Sequence, residues 1–225
     1  MIVRNEFKEF EAQIKAIDRE LYYTNLIILK GQPGELPRNE AGKIIIPWPG
    51  PEEEPPEIYI CGEVAHEAGH NVVFPITAKK WALTILKVMR ELKIDGDSAL
   101  ELANIAGDIV VEAHLAQKPT CRRYRGEQLR IRTIHHYDDM PPMGKELGAI
   151  YNRLYGLGLG IPSITWERIK PILESKLPNE DKVIMIAKIL ASSIPMPSPD
   201  MLGAGQGGQG QEGQEGEGLG QGQGQ

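Results

Sequence analysis

The chain has 225 residues, of which 41% are hydrophobic and 25% charged, which suits one soluble globular domain with a sizeable core. Its net charge of −6 argues against a general nucleic-acid binder, and no apolar run approaches the roughly 20 residues that a membrane span needs. Only two cysteines occur, Cys61 and Cys121, and the N-terminus lacks an apolar core of signal-peptide length, so we expect a cytoplasmic protein.

The first part of the chain is expected to form a helix and then a short strand. Apolar residues at spacings of three and four predict an amphipathic helix over residues 5–30. A Gly- and Pro-rich loop follows over 31–43. The β-branched run KIIIPW, stopped by Pro47, predicts an edge strand that could pair with an extended peptide, and residues 49–57 form a turn-rich connector.

The rest of the chain is expected to be helical apart from one segment and the tail. Residues 117–142 are expected to be irregular, and residues 195–225, rich in Pro and then in Gly, Gln and Glu, to form a disordered tail after a domain over 1–194. Asp97 or Ser98 is the expected cap of the fourth helix. Further helices are predicted over 58–74, 78–92, 98–117, 144–156, 164–177 and 179–193. The candidate core residues of the helix over 78–92 are Trp81, Leu83, Ile85, Leu86 and Met89.

The stretch HEAGH, residues 66–70, is the strongest functional signal in the sequence. His66 and His70 are four residues apart, so both imidazoles project from one side of a helix and can bind one zinc ion. Glu67 lies beside the metal position, where its carboxylate can act as general base on a zinc-bound water. The flanking residues are apolar, and ionisable side chains on a buried helix need a partner such as a divalent cation.

A third protein ligand is expected from NIAGDIVVEAHL, residues 104–115. Asp108 and Glu112 are four apart on an otherwise apolar helix, so one carboxylate can bind zinc while the other orients a ligand histidine. Asp108 is favoured as the ligand, and the alternative is that Asp108 and Glu112 form ion pairs with the basic segment after residue 118. His114 is the weaker ligand candidate because it lies off that face. Gly107 is expected to let the two helices approach closely.

The two motifs together resemble a metallopeptidase domain of bacterial and archaeal proteins that often precedes a von Willebrand A-like domain. The resemblance covers residues 43–115 and implies an α+β, predominantly helical, zincin-like fold. It implies that His66, His70 and Asp108 are the zinc ligands and that Glu67 is the catalytic glutamate. It also implies a separately encoded von Willebrand A-like or AAA partner.

Further candidate residues are His136, Tyr137, Cys61 and an arginine cluster. His136 or Tyr137 could stabilise the oxyanion formed during peptide hydrolysis, although a solvated polar loop is an equally good interpretation. Cys61 is expected to be packed rather than a ligand. An arginine cluster could bind nucleic acid or phosphate, although pairing with acidic residues is favoured: Arg122, Arg123, Arg125, Arg130 and Arg132.

The sequence therefore predicts a zinc-dependent metallopeptidase in which Glu67 activates a zinc-bound water. The first alternative is a zinc-binding regulatory or assembly module with little or no proteolysis. A hydrolase acting on non-peptide amides would use the same residues.

Overall fold

A computed structural model of the protein describes residues 4–21, 26–40, 43–50, 55–74 and 78–195. Most of this part is helical, with one small sheet, so the α+β, predominantly helical class is confirmed. The Gly-, Gln- and Glu-rich tail, from residue 196 onward, lies outside the described residues. The strands are β1 (Arg4–Asn5), β2 (Ile27–Lys30), β3 (Arg38–Glu40) and β4 (Lys43–Ile46). The helices are α1 (Glu11–Leu21), α2 (Pro56–Val73), α3 (Ala78–Leu92), α4 (Gly96–Leu115), α5 (Pro119–His136), α6 (Pro142–Tyr155), α7 (Trp166–Glu174) and α8 (Asn179–Ser193).

The predicted helix over 5–30 is wrong at both ends. Of the described residues in this range, α1 and a preceding 3₁₀ turn at Lys8–Phe10 are helical, while residues 27–30 form β2. β2 runs parallel to β4, and Ile28 lies opposite Ile44 with both side chains fully buried. Pairing of two β-branched runs decides the conformation of β2, and the helical periodicity of the preceding segment does not reveal it.

The run KIIIPW does form a strand, but the prediction that it lies at an edge is wrong. The sheet order is β1-β2-β4-β3, so β4 lies between β2 and β3. Pro47 follows the last residue of β4 and therefore removes no hydrogen bond from either ladder. The edge strand beside β4 is β3, which runs antiparallel to it within the segment expected to be a loop.

Residues 119–136, expected to be irregular, form helix α5. Pro119 occupies the first turn, and the Glu20 carboxylate of α1 accepts hydrogen bonds from the backbone N–H groups of Thr120 and Cys121. Arg125 and Gln128 are buried on the inner face of this helix, so its core-facing positions are not an apolar stripe. Periodicity therefore gave no signal for α5.

Helices α2, α3, α4, α6, α7 and α8 were all predicted, with ends shifted by a few residues. The N-cap of α4 is Asp95 rather than Asp97 or Ser98, because an Asp95 side-chain oxygen accepts from the Ser98 N–H at 2.9 Å. In α3, Thr84 and Val88 are buried. Three of the residues expected in its core are exposed instead: Leu83, Leu86 and Met89.

Candidate metal centre

Helix α2 presents both histidines of HEAGH on one side. Residues 59–65 of this helix are all buried, and Pro56 in the first turn starts the helix without leaving an additional unpaired N–H. The Nε2 atoms of His66 and His70 lie 3.2 Å apart, with the rings nearly perpendicular. The predicted convergence of the two imidazoles is therefore present in the fold.

Helix α4 adds one carboxylate to this pair. Asp108 Oδ1 lies 3.2 Å from His70 Nε2 and 3.9 Å from His66 Nε2. The helices can come this close because residue 69 is glycine. A Cβ there would lie 2.8 Å from Val111 Cγ1 on α4. Gly107, expected to have this role, instead faces Trp81 of α3, since a Cβ at residue 107 would lie 3.3 Å from the Trp81 ring.

The three side chains fit a divalent cation. One ligand atom from each of His66, His70 and Asp108 lies within 4.8 Å of the others. A tetrahedral zinc ion with bond lengths of about 2.0–2.1 Å would have ligand atoms about 3.3–3.4 Å apart. The two separations that involve His70 Nε2 are 3.2 Å, and that between His66 Nε2 and Asp108 Oδ1 is longer, at 3.9 Å. Two imidazole nitrogens and a carboxylate oxygen are also a usual ligand set for zinc. Glu112 is not a member of this cluster.

The Glu112 carboxylate forms a hydrogen bond with the ring nitrogen of His66 that faces away from the cluster. Its Oε1 lies 2.8 Å from His66 Nδ1, so Nδ1–H donates to the carboxylate and the lone pair of Nε2 points toward the cluster. Glu112 is completely buried and also accepts hydrogen bonds from Arg125 Nε at 2.7 Å and from the Tyr155 hydroxyl. Burial would raise the pKa of Glu112, but Arg125 and His66 outweigh it and lower this pKa to about 2.

A second buried carboxylate, Glu63, extends the same network. Arg132 donates to Glu63 Oε1 at 2.7 Å, Gln128 Nε2 donates to it at 2.7 Å, and Arg125 lies at 3.4 Å. Two arginines thus balance the two carboxylates of this network, Glu63 and Glu112. The negative charge of Asp108 is left for a cation at the cluster.

Glu67 lies beside the cluster and next to the sheet. Burial raises its pKa, and the nearby His66 and His70 oppose this only in part. The Nδ2 of Asn39, in the centre of β3, donates to the backbone oxygen of Glu67 at 3.3 Å. The edge strand of the sheet therefore runs past the turn of α2 that carries HEAGH.

The two residues expected to stabilise an oxyanion lie at the end of α5 and in the turn after it. His136 is exposed and packs against His135, while the ring of Tyr137 lies near Gly148 of α6 and under Lys145 Nζ. None of these contacts is with His66, His70 or Asp108, and the role of both residues stays a prediction. Burial raises the pKa of Tyr151 on α6 well above its usual value, and the negative charges of Asp108 and Glu112 raise it further.

Other residues singled out in the sequence have structural roles. Cys61 is fully buried, and burial raises the pKa of its thiol to about 12, so it is packed as expected. His114 is not a member of the cluster. In the arginine segment, Arg125 and Arg132 pair with Glu63 and Glu112, and Arg130 pairs with Glu127.

The residues that the sequence missed lie behind His66: Glu63, Gln128 and Tyr155. Arg125 was singled out, and its expected pairing with acidic residues is confirmed by Glu63 and Glu112. Glu63 offered one signal, a third acidic residue on the apolar α2 helix, one turn before Glu67. The others lie on α5 and α6, far from α2 in sequence, and no spacing links them to the motif.

Comparisons with protein-family models, with curated proteins and with solved structures find no match to this chain. Within the described part of the chain, no helix has the length and apolar character required to cross a membrane.

Proposed function

We propose that the chain is a zinc metallopeptidase with a zincin-like active site. The observation that carries this proposal is the convergence of His66, His70 and Asp108 from two helices, with Glu67 on the same turn of α2. When bound there, zinc would act as a Lewis acid toward the substrate carbonyl and lower the pKa of a water molecule. The resemblance of HEAGH and NIAGDIVVE to a known metallopeptidase domain supports the same assignment.

Glu67 is the proposed general base. Its carboxylate accepts a proton from the attacking water and returns it to the nitrogen of the leaving amine. The position of Glu67 supports this role, because it follows the proposed ligand His66 directly on the same turn of α2. Glu112 has an indirect part, since its bond to Nδ1–H keeps His66 in the tautomer that a metal requires.

The exposure of the cluster supports a catalytic site over a purely structural one. The side chains of His70 and Asp108 are 34% and 36% exposed, whereas structural zinc sites are usually closed by four protein ligands. A substrate can therefore approach the ligands from the His70 and Asp108 side.

Strand β3 is the proposed platform for the substrate. It is the last strand of the sheet on the side of β4, and Asn39 bonds it to the Glu67 turn. An extended peptide that pairs with such an edge obtains backbone hydrogen bonds whatever its side chains are. This supports a peptide as substrate over a small amide.

Zinc content and hydrolysis should be measured together on the full chain and on four variants. We expect one zinc per chain in the wild type and in Glu67→Gln, and loss of zinc in His70→Ala and Asp108→Ala. Glu67→Gln should hydrolyse a mixed peptide substrate at least about 100-fold more slowly than the wild type. The fourth variant, Glu112→Ala, should still bind zinc, but with a lower affinity than the wild type.

The same assay tests the proposed oxyanion donors. His136→Ala and Tyr137→Phe test the oxyanion role predicted for these two residues. Replacement of the residue that acts as donor should lower kcat by about 100-fold with zinc retained. A wild type that binds no zinc, or a Glu67→Gln variant as active as the wild type, contradicts the proposed function. Zinc binding without hydrolysis would instead favour the assembly module, working with a von Willebrand A-like or AAA partner.

A further inference from the structure

A cavity of about 450 Å³ opens at the end of β3, away from His66, His70 and Asp108. Its walls come from the segment before β3, the segment after β4, the first turn of α2 and the last turns of α5. The main contributing residues are Leu36, Pro37, Trp48, Tyr59, Arg132 and His136. None of them belongs to the cluster of His66, His70 and Asp108.

The distance from the cavity to Glu67 can be obtained along two elements. Along α2, eight residues separate Tyr59 from Glu67, which is about 12 Å at the helical rise. Along the segment leading into β3, three residues separate Leu36 from Asn39, which is about 10 Å in extended chain, and Asn39 contacts Glu67. A peptide paired with β3 would cover either distance with three or four residues.

The cavity wall is mainly aromatic and apolar. Trp48 is 43% exposed, and its ring stacks on Phe7 and Phe10 with distances between ring centroids of 6.3 and 6.5 Å. This packing supports the indole while one part of it remains open to the cavity. Leu36, which also lines the cavity, is 57% exposed.

The charged groups at the cavity are compensated by neighbours. Arg132 lies over the Tyr59 ring at 5.6 Å and pairs with Glu63 at 2.7 Å. Glu35 pairs with Arg38 at 3.0 Å. The lining that remains for a ligand is apolar and aromatic surface together with the imidazoles of His135 and His136, which suits a large apolar or aromatic side chain better than a charged one.

We propose that this cavity is a specificity subsite that holds a large apolar or aromatic side chain of the substrate, three or four residues from the bond that is cleaved. The placement of the cleaved bond rests on the proposed function. Binding of the side chain does not, because it needs only β3 and the cavity.

The test uses a series of otherwise Ala/Ser-containing peptides of ten residues in which one Phe is moved along the chain. Binding is measured by fluorescence polarisation to the zinc-loaded Glu67→Gln protein, and cleavage sites in the wild type are read by mass spectrometry. We expect Phe to tighten binding by 10-fold or more over the Phe-free peptide. Cleavage should fall three or four residues from the Phe.

Two variants assign the effect to the cavity. Leu36→Ser removes an exposed apolar wall without a cost to the core, and it should weaken binding of the Phe peptides by about 5-fold or more. Leu83→Ser, at a leucine of α3 that is 50% exposed and does not line the cavity, is the matched control and should change nothing. Trp48→Ala should have a larger effect than Leu36→Ser.

Equal binding of Phe-containing and Phe-free peptides, or an unchanged affinity in Leu36→Ser, overturns the proposed subsite. Cleavage of all peptides at the same rate and with no fixed distance from Phe overturns it as well, while the proposed hydrolysis stands. Phe-dependent binding that Leu36→Ser weakens, in a wild type that cleaves no peptide, supports the side-chain subsite and rejects the proposed hydrolysis instead.

Discussion

At the residue scale, the side chains behind the group of His66, His70 and Asp108 set its geometry. Glu112 fixes the orientation of the His66 ring by accepting a hydrogen bond from its Nδ1–H, and Arg125 and Tyr155 donate hydrogen bonds to Glu112 in turn. These side chains are buried, so each partner compensates the desolvation of the others. A substitution of Glu112 or of a residue that hydrogen-bonds to it should therefore lower both the affinity for metal and the stability of the fold.

Glu112→Gln tests this coupling. The amide keeps the shape but removes the charge opposite Arg125, and breaking a buried ion pair from one side costs about 3–5 kcal/mol. We expect a lower free energy of unfolding by about that amount and a zinc affinity lower by about 10–100-fold. Urea unfolding of the metal-free protein and zinc titration against a competing chelator measure the two effects.

Tyr155→Phe is the milder comparison, because it removes one hydrogen bond to Glu112 and leaves the ion pair. Its expected cost is about 1–3 kcal/mol. A Glu112→Gln protein with wild-type zinc affinity would show that His66 does not need this carboxylate.

At the element scale, the site depends on how closely α2 and α4 approach. Gly69 is the contact point, facing Val111 and Leu115 of α4. The two histidines and Asp108 can share a cation only if this distance is kept, because they belong to different helices.

Gly69→Ala should push the helices apart. The added Cβ would lie 2.8 Å from Val111 Cγ1, and such overpacking typically costs about 1–3 kcal/mol. This exceeds the gain of about 1 kcal/mol that alanine brings to a helix interior. We expect lower stability in urea unfolding and weaker zinc binding.

Two companion variants separate packing from propensity. Gly96→Ala, at the start of α4 where a Cβ would meet nothing within 4 Å, should be neutral or slightly stabilising. Val111→Ala combined with Gly69→Ala should recover zinc binding relative to Gly69→Ala alone, because it makes room for the new methyl group. Additive losses in the double variant would contradict the packing argument.

At the scale of the whole molecule, α2, α4 and α5 are joined by one ionic network through Glu63, Glu112 and Arg125. Burial would raise the pKa of Glu63, but Arg125 and Arg132 outweigh it, so this pKa is lowered in the folded protein. A lowered pKa means that the contribution to stability is complete above the unfolded value of about 4.3. It is lost as the pH falls through the folded value.

The metal-free protein should therefore lose stability steeply as the pH falls below about 4.3, and Glu63→Gln should reduce this dependence. Urea unfolding at pH 7, 5, 4 and 3 measures it for both proteins. Glu174→Gln, at an exposed carboxylate of α7 that lies 3.9 Å from Lys170, is the control and should keep the wild-type slope. A Glu63→Gln protein with that same slope would place the acid sensitivity elsewhere.

The sequence alone determined the features that depend on neighbours three or four residues away. The pairing of His66 and His70, and the helices α2, α3 and α4, follow from local spacing, because a helix repeats every 3.6 residues whatever surrounds it. The assignment of Asp108 and Glu112 to one helical face follows in the same way.

Only the tertiary structure decided which partners those faces meet. Asp108 reaches both histidines while Glu112 lies behind His66, a division that depends on the contact between α2 and α4 at Gly69. The strands β2 and β3 exist through pairing with β4, and α5 buries Arg125 and Gln128 because Glu63 and Glu112 satisfy them. These contacts join residues far apart in the chain, and no local pattern encodes them.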